Sequence, residues 1–322
     1  MFKVSVMAAA ELHVPVLVDE VLCYLNCSSP GIYVDATLGD GGHAEAICRC
    51  LGPQGRLIGI DWDDSALQRA GERLAPYAAK VKLIHDNYIN LRSILASLGL
   101  EKVDGILLDL GVSTLQLLEP SRGFSYHYSE PLDMRMDPRL PLKASDLVNG
   151  LPAAELERIF YRYGEERWAR RIAAAIVRHR SRYGPIETSG ELVEIIKAAI
   201  PAAGRRSGGH PARRTFQALR IAVNRELENI ETVLPEAVRC LAPGGRLCVI
   251  AYHSLEDRLV KHFMRDLSHR CTCPPQLPCT CGKAGELVVL TRRAVIPTEA
   301  EVQRNPRSRS ARLRAAEKAG QK

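Results

Sequence analysis

The feature that most constrains the fold is a regular alternation of short apolar runs with amphipathic stretches between residues 31 and 110. Four runs are apolar enough to form buried strands, and a stretch with helical periodicity separates each from the next: 32–34, 57–60, 81–84 and 103–108. Parallel strands need long crossover connections, which are usually helices. The alternation therefore predicts a parallel sheet with right-handed crossovers.

This alternation is interrupted in the middle of the chain. Arg-rich helical patterns, 153–182 and 189–200, are followed by a Gly- and Arg-rich loop, 204–211, with no strand between them. The α/β pattern then resumes with a long helix, a Pro-Gly-Gly turn and two further strands, which we expect at 215–241, 242–245, 246–252 and 287–295.

We therefore expect an α/β protein with a doubly wound, Rossmann-like sheet and an inserted, mainly helical smaller domain. The sheet domain is expected to be discontinuous, formed by residues 1–120 and 217–322. The insertion is expected to cover 121–216.

The turn after the first strand has the composition of a ligand-binding loop. Asp35 ends the strand, and Gly39, Gly41 and Gly42 precede a helix that begins near His43. Glycines let a ligand approach the backbone closely, and a helix N-terminus offers unpaired N–H groups. A tight turn without a ligand has the same composition, so this motif alone does not distinguish a ligand-binding loop from a structural turn.

Two further carboxylates make a nucleoside site the better interpretation. Asp61 ends the second strand about 20 residues after the first glycine, where an acidic side chain can accept both ribose hydroxyls. Asp109 ends the fourth strand. The turn lacks the third glycine of a dinucleotide-binding loop, and Asp35 offers an acceptor for an ammonium group. The pattern therefore favours S-adenosylmethionine over NAD.

The charge distribution indicates a polyanionic partner. The net charge is +7, and the arginines are grouped in three runs: Arg167, Arg170, Arg171, Arg178, Arg180 and Arg182; Arg205, Arg206, Arg213, Arg214 and Arg220; and Arg304, Arg307, Arg309, Arg312 and Arg314. Arginine binds phosphate in a bidentate way. Solvated helix faces are the alternative interpretation. With no long apolar segment or secretory signal, we expect a cytoplasmic protein without membrane contact.

Four of the ten cysteines lie close together, as two C-x-C pairs around a Pro-rich segment: Cys271, Cys273, Cys279 and Cys281. Four thiolates can hold a tetrahedral zinc ion. Pairs with this spacing strain a single site, so a Pro-rich surface loop with free thiols is the alternative.

Nine motifs in one order resemble the bacterial 16S ribosomal RNA cytosine-N4 methyltransferase family (MraW type). They are 13–17, 35–43, 109–113, 122–125, 131–137, 163–167, 210–220, 253–258 and 305–310. The resemblance implies methyl transfer to a cytidine in the decoding region of 16S ribosomal RNA, within the small ribosomal subunit. A homodimer is possible, and the sequence does not determine the oligomeric state.

The resemblance also implies residue roles. Gly41, Gly42 and His43 are expected around the methionine end of the cofactor, with Asp61 on the ribose. Tyr88 stands where the family usually has a phenylalanine beside the adenine, and Asp109 and Gln116 fall on cofactor-contact positions. The family's serine pair is Ser113-Thr114 in this chain.

The candidate catalytic residues follow from the chemistry of the target amine. Its lone pair is delocalised into the ring, so an acceptor is needed to localise it. The candidates are Asp109, Ser113, His253 and Asp133. A salt-bridge network is the alternative for Asp133, and a strand-end histidine with only structural hydrogen bonds is the alternative for His253.

A base that leaves its stack is expected to pack against aromatic side chains, and the candidates are Phe124, Tyr126 and Tyr128. Three other functions stand as alternatives to RNA methylation. They are an NAD-dependent oxidoreductase, a non-catalytic RNA-binding assembly factor, and an amino-methyltransferase that acts on DNA.

Overall fold

The computed structural model describes residues 15–28, 30–112, 119, 122–205, 209–268 and 285–320. The chain divides into two compact units. One comprises Met1–Gly111 and Asn229–Lys322, and the other comprises Val112–Glu228. The expected domain boundaries, 120/121 and 216/217, lie inside this second unit.

The first unit contains a seven-stranded sheet in the order β3-β2-β1-β4-β5-β7-β6. The strands are β1 Ile32–Asp35, β2 Arg56–Asp61, β3 Val81–His85, β4 Val103–Asp109, β5 Leu241–Ala251, β6 Leu287–Val289 and β7 Arg312–Lys318. Strands β1 to β5 pair in parallel, while β7 is antiparallel to both β5 and β6. The order reverses beside β1, which confirms the predicted doubly wound α/β fold.

Helices on both sides of the sheet bury its aliphatic faces. In this unit they are α1 Val18–Leu25, α2 Gly42–Cys50, α3 Asp64–Leu74, α4 Leu91–Ser97, most of α11 Glu226–Cys240, α12 Ser254–Ser268 and α13 Glu299–Arg304. Leu25, Ile47, Leu57, Leu107 and Leu313 come from five different elements and meet in one buried cluster. Such burial contributes roughly 1.5–3 kcal/mol for each large aliphatic side chain.

The C-terminal part of the sheet differs from the prediction. The Pro-Gly-Gly segment lies within β5 as an irregularity, because the pairing with β4 shifts between Val103 and Gly105. The last predicted strand is shorter and ends at Val289. Strand β7 was not predicted, because its sequence has the composition of the third arginine run. In that strand Arg314 is buried and donates to Asp257 over 2.7 Å.

The second unit is mainly helical. Its helices are α5 Ala144–Gly150, α6 Ala153–Gly164, α7 Ala169–Tyr183, α8 Ser189–Ala199, the short α9 Ala202–Arg205 and α10 Arg213–Asn224. Helix α6 packs against both α7 and α10. Buried residues recur at helical spacing in α7, where Ile172, Ala173 and Ile176 form the inner face.

The predicted long helix 215–241 is two helices, α10 and α11 Glu226–Cys240. Arg225 separates them with a φ of 52°. This is a left-handed conformation, and because the residue is not a glycine, the sequence does not indicate the break. The buried Asn224 side chain accepts the Met136 N–H over 2.7 Å and donates to the Met134 carbonyl over 2.8 Å. These bonds fix the end of α10. No helix among the described residues is long and apolar enough to cross a membrane.

Candidate functional site

Three aspartates lie at the carboxyl ends of three neighbouring strands. Asp35, Asp61 and Asp109 are the last residues of β1, β2 and β4, and β1 lies between the other two in the sheet. In open α/β sheets this edge is where ligands bind. The three carboxylates give this edge of the sheet a concentrated negative charge.

The glycine turn is built around Asp61. One Asp61 oxygen accepts the Gly39 N–H over 2.7 Å and the other accepts the Asp63 N–H over 2.9 Å. Gly39 and Gly41 have φ values of 51° and 76°, which favour glycine. A carboxylate can accept about four hydrogen bonds, so Asp61 keeps capacity for hydroxyl groups.

Asp35 is a buried carboxylate. Only 1% of its surface is exposed, and its Oδ1 accepts the Thr37 N–H over a long 3.3 Å. Burial raises the pKa of Asp35 to about 7, with Asp109 and Asp61 adding to the increase and His43 opposing it. Burial likewise raises the pKa of Asp61, to about 6. A cationic ligand would stabilise the ionised form of both groups.

His43 lies in the first turn of α2, and its ring is buried. Its Nε2 is 2.8 Å from the Val16 carbonyl oxygen, and a carbonyl can only accept, so Nε2 carries the proton. Burial lowers the pKa of His43, against the attraction of Asp35. The ring is therefore neutral, and its Nδ1, 3.6 Å from Asp109 Oδ2, is an acceptor.

Asp109 is held by two hydroxyl side chains. Its backbone N–H donates to Thr37 Oγ1 over 2.5 Å. Its Oδ1 accepts the Tyr252 hydroxyl over 2.9 Å. Thr37 belongs to the turn after β1 and Tyr252 follows β5, so residues that follow the two strands flanking β4 hold the backbone and the carboxylate of Asp109, respectively.

An aromatic pair lies beyond the end of β2. Tyr88 begins a short 3₁₀ turn, and its ring centroid is 6.2 Å from that of Trp62, with the planes at 44°. Trp62 directly follows Asp61. A planar base bound at Asp61 would meet aromatic faces on this side.

The model of the MraW methylase family matches residues 10–319. The chain belongs to this family. A protein from Symbiobacterium thermophilum named ribosomal RNA small subunit methyltransferase H is 55% identical over 304 residues, which is 94% of this chain and 95% of that protein. A protein of the same name from Heliobacterium modesticaldum is 52% identical over 95% of this chain and 98% of its own length.

A solved structure of a putative methyltransferase from Streptococcus mutans, in complex with SAH, aligns with 95% of this chain and 99% of its own. Its TM-score is 0.43 at 13% identity.

As a member of the MraW methylase family, the chain is a methyltransferase that uses S-adenosylmethionine. The cofactor prediction is thus confirmed, and the NAD-dependent oxidoreductase is set aside. All of these predicted residues lie in the first unit: Asp35, Asp61 and Asp109 end β1, β2 and β4, Gly39 and Gly41 lie in the turn after β1, Gly42 begins α2, and Tyr88 follows β3.

His253 lies between β5 and α12 and takes part in the start of that helix. Its Nδ1 accepts the Glu256 N–H at 3.4 Å, while Glu256 Oε2 accepts the N–H groups of His253 and Tyr252. This reciprocal arrangement is that of a capping box, with histidine in the place of serine or threonine. It corresponds to the structural interpretation of His253.

Asp133, in the second unit, is engaged by an arginine. Both of its oxygens accept 2.8 Å bonds from Arg135, which also donates to the Pro138 and Leu140 carbonyls. Partial burial raises the pKa of Asp133, but the Arg135 hydrogen bonds outweigh it and the pKa lies below its usual value. Asp137 pairs with Arg139 in the same way. This is the salt-bridge network that was the alternative for Asp133.

Several predicted residues lie outside the described part of the chain. They are Ser113 and Gln116 after β4, and the cysteine cluster Cys271, Cys273, Cys279 and Cys281. Among the aromatic candidates, Phe124 is buried, whereas Tyr128 is 62% exposed.

The three arginine runs differ in what they contact. In the first, Arg180 donates to the Val148 and Leu151 carbonyls. In the second, Arg220 pairs with Glu226 through two 2.8 Å bonds. The other members of the first run are exposed: Arg167, Arg170, Arg171, Arg178 and Arg182. Among the described residues, none of these five arginines forms an ion pair.

Aromatic rings support three of these exposed guanidinium groups. Arg167 and Arg171 lie 5.2 and 5.6 Å from the Trp168 ring, and Arg182 lies 5.3 Å from the Tyr183 ring. Stacking of this kind holds the guanidinium plane while leaving its N–H groups exposed. The aromatic supports therefore lie at both ends of α7.

Thr37, Tyr252 and Trp62 are the residues of this site that the sequence interpretation did not include. Trp62 and Thr37 are each within two residues of a predicted aspartate, so proximity in sequence could have indicated them. Tyr252 is far from Asp109 in sequence, and only the pairing of β4 with β5 brings the two together.

Proposed function

We propose that this enzyme transfers the methyl group of S-adenosylmethionine to the exocyclic N4 amine of a cytidine in the decoding region of 16S ribosomal RNA. The observation that carries the proposal is the set of three strand-end carboxylates around a glycine turn, in a chain whose relatives are named ribosomal RNA small subunit methyltransferase H. We place the reaction in the cytoplasm, on the small ribosomal subunit.

The chemistry of the site fits a cationic nucleoside. Asp35 is buried and Asp61 is partly buried, and the raised pKa values of both indicate that a positive charge would stabilise their ionised forms. When bound, S-adenosylmethionine supplies an electrophilic methyl group on a sulfonium. We assign Asp61 to the ribose hydroxyls, Asp35 to the ammonium group, and Tyr88, with Trp62 behind it, to the adenine face.

The glycine turn would receive the methionine end of the cofactor. Gly39, Gly41 and Gly42 offer backbone without side chains at the start of α2, where the N-cap residue Gly41 has no side chain to cap the first N–H groups of the helix. His43 donates to the Val16 carbonyl through Nε2, so we assign it a role in supporting the turn.

We assign Asp109 to contact with the cofactor on the reacting side of the site, near the target amine. A carboxylate that accepts from the N4 amine localises its lone pair toward the methyl group, and holding the two groups in line supplies much of the rate. Ser113 and His253 remain proposed neighbours of this step. Asp133 is the weaker candidate, because both of its oxygens already accept from Arg135. The second proton of the amine can leave to water.

The inserted unit is proposed to hold the RNA. The exposed arginines of α7 can neutralise phosphates, and such contacts position the substrate without reading its sequence.

Nucleoside analysis of cellular RNA tests the proposal. In a bacterial strain whose own member of this family has been deleted, expression of this chain should restore N4-methylated cytidine in 16S RNA. The Asp109→Asn variant, produced at the same level, should not restore it. Methylation that appears only in DNA, or at a ring carbon of the base, would contradict the proposal.

A further inference from the structure

The hydroxyl group of Tyr252 connects this residue to the carboxylates of the site. It follows β5 and donates its hydroxyl to Asp109 Oδ1 over 2.9 Å. Tyr252 is partly buried, and this burial first and then the neighbouring Asp109 charge raise its pKa well above the usual value. The hydroxyl therefore stays protonated and acts only as a donor toward this carboxylate.

The contacts of Asp109 are divided between its two oxygens. Oδ1 accepts from Tyr252, while Oδ2 lies 3.6 Å from His43 Nδ1. Since the neutral Nδ1 is itself an acceptor, it does not compete with Tyr252 as a donor. The Tyr252 bond thus constrains the rotation of the carboxylate, with Oδ2 on the side of His43.

The ring of Tyr252 also borders the turn after β4. Gly111 has a φ of 103°, and a Cβ built on it would lie 3.5 Å from the Tyr252 ring. The ring packs against the backbone that leaves Asp109, while the hydroxyl holds its side chain. A phenylalanine would keep the first of these interactions and remove the second.

We propose that Tyr252 is a positioning residue, which orients the Asp109 carboxylate for S-adenosylmethionine through its hydroxyl. The inference rests on the proposed role of Asp109 as a cofactor ligand. A hydrogen bond to a charged group is stronger than one between neutral groups. Loss of the hydroxyl would remove the hydrogen bond that Oδ1 accepts from Tyr252 and so weaken the orientation of the partly buried Asp109 carboxylate.

The test is a double-mutant cycle on cofactor binding, with S-adenosylmethionine as the probe and isothermal titration calorimetry of the full chain as the measurement. Tyr252→Phe should raise the Kd about ten-fold in the native background, because it removes one charge-assisted hydrogen bond. In an Asp109→Asn background the same change should raise it less than about two-fold. Tyr33→Phe is the matched control, since Tyr33 is a buried tyrosine of the same unit whose hydroxyl accepts the Ser28 N–H.

The outcomes separate the inference from the function on which it rests. A Kd for Tyr252→Phe within two-fold of the native value, or an equal loss in both backgrounds, would overturn the positioning role. So would the same loss in Tyr33→Phe, because the effect would then be one of general stability. If Asp109→Asn alone left the Kd unchanged, the assignment of Asp109 to the cofactor would fail instead. If Asp109→Asn bound the cofactor too weakly to measure, the comparison of Tyr252→Phe with Tyr33→Phe would still test the positioning role.

Discussion

At the scale of single residues, the electrostatics of Asp35 dominates the site. A carboxylate at the end of a central strand, buried and with two further carboxylates nearby, is an unfavourable place for a negative charge. Burial costs the folded protein stability that a cationic ligand can return. The Asp35 carboxylate thus lowers the stability of the unliganded protein and raises its affinity for a cationic ligand.

The effect of pH on the unliganded protein follows from this exchange. The pKa of Asp35 is about 7 in the folded state and about 3.9 in an unfolded chain, so the folded state binds more protons between these values. Asp35 therefore lowers stability as the pH rises from about 4 to about 7. The Asp35→Asn variant removes this charge. Without cofactor, its melting temperature should exceed that of the native chain by a few degrees at about pH 8, and the gain should shrink at about pH 5.

Scanning calorimetry of both proteins at the two pH values provides the measurement. The same variant should bind S-adenosylmethionine more weakly, which separates the loss of a ligand from the gain in stability. An Asp35→Asn protein that is no more stable than the native chain at about pH 8 would contradict the buried-charge account.

At the scale of elements, α7 is the part of the inserted unit best suited to hold RNA. Its fifteen residues span roughly 22 Å, and its sequence contains no acidic side chain. Trp168 and Tyr183 support arginines at its two ends, and Arg178 lies exposed between them. An RNA backbone laid along this helix would meet several guanidinium groups in succession.

Reversing two of these charges should weaken RNA binding and its dependence on salt. For the Arg178→Glu/Arg182→Glu protein, we expect at least about a ten-fold loss in affinity for 16S RNA. The slope of log K against log salt should decrease by about one for each phosphate that the protein no longer neutralises. Filter binding at several salt concentrations measures both quantities.

The Arg292→Glu/Arg293→Glu protein makes the same change in net charge at two exposed arginines of the sheet unit. It should retain most of the affinity and the native slope. An equal loss in both double variants would indicate that the RNA responds to total charge, and α7 would lose its assigned role.

At the scale of the whole molecule, the sequence predicted the parts of the fold that local patterns encode. Each parallel strand is a short apolar run, and an aspartate directly after it marks the edge of the sheet, so Asp35, Asp61 and Asp109 could be assigned without coordinates. Strand β7 could not be assigned in this way, because its alternation of Arg312, Arg314 and small residues resembles a basic run. Only pairing with β5 buries its apolar face.

Features that depend on tertiary contacts were also missed. The helix break at Arg225 carries no glycine or proline and is fixed by the bonds of Asn224 to a distant loop. Tyr252 reaches Asp109 only because β5 lies beside β4. Local propensity cannot predict either arrangement.

The central claim is tested most directly by transfer of a tritiated methyl group from S-adenosylmethionine to three substrates. These are small ribosomal subunits from an unmethylated strain, naked 16S RNA and duplex DNA, each followed by nucleoside analysis. The proposed function predicts that the label appears as N4-methylcytidine in the subunits. Label confined to DNA, or no label on any substrate although the cofactor binds, would contradict it.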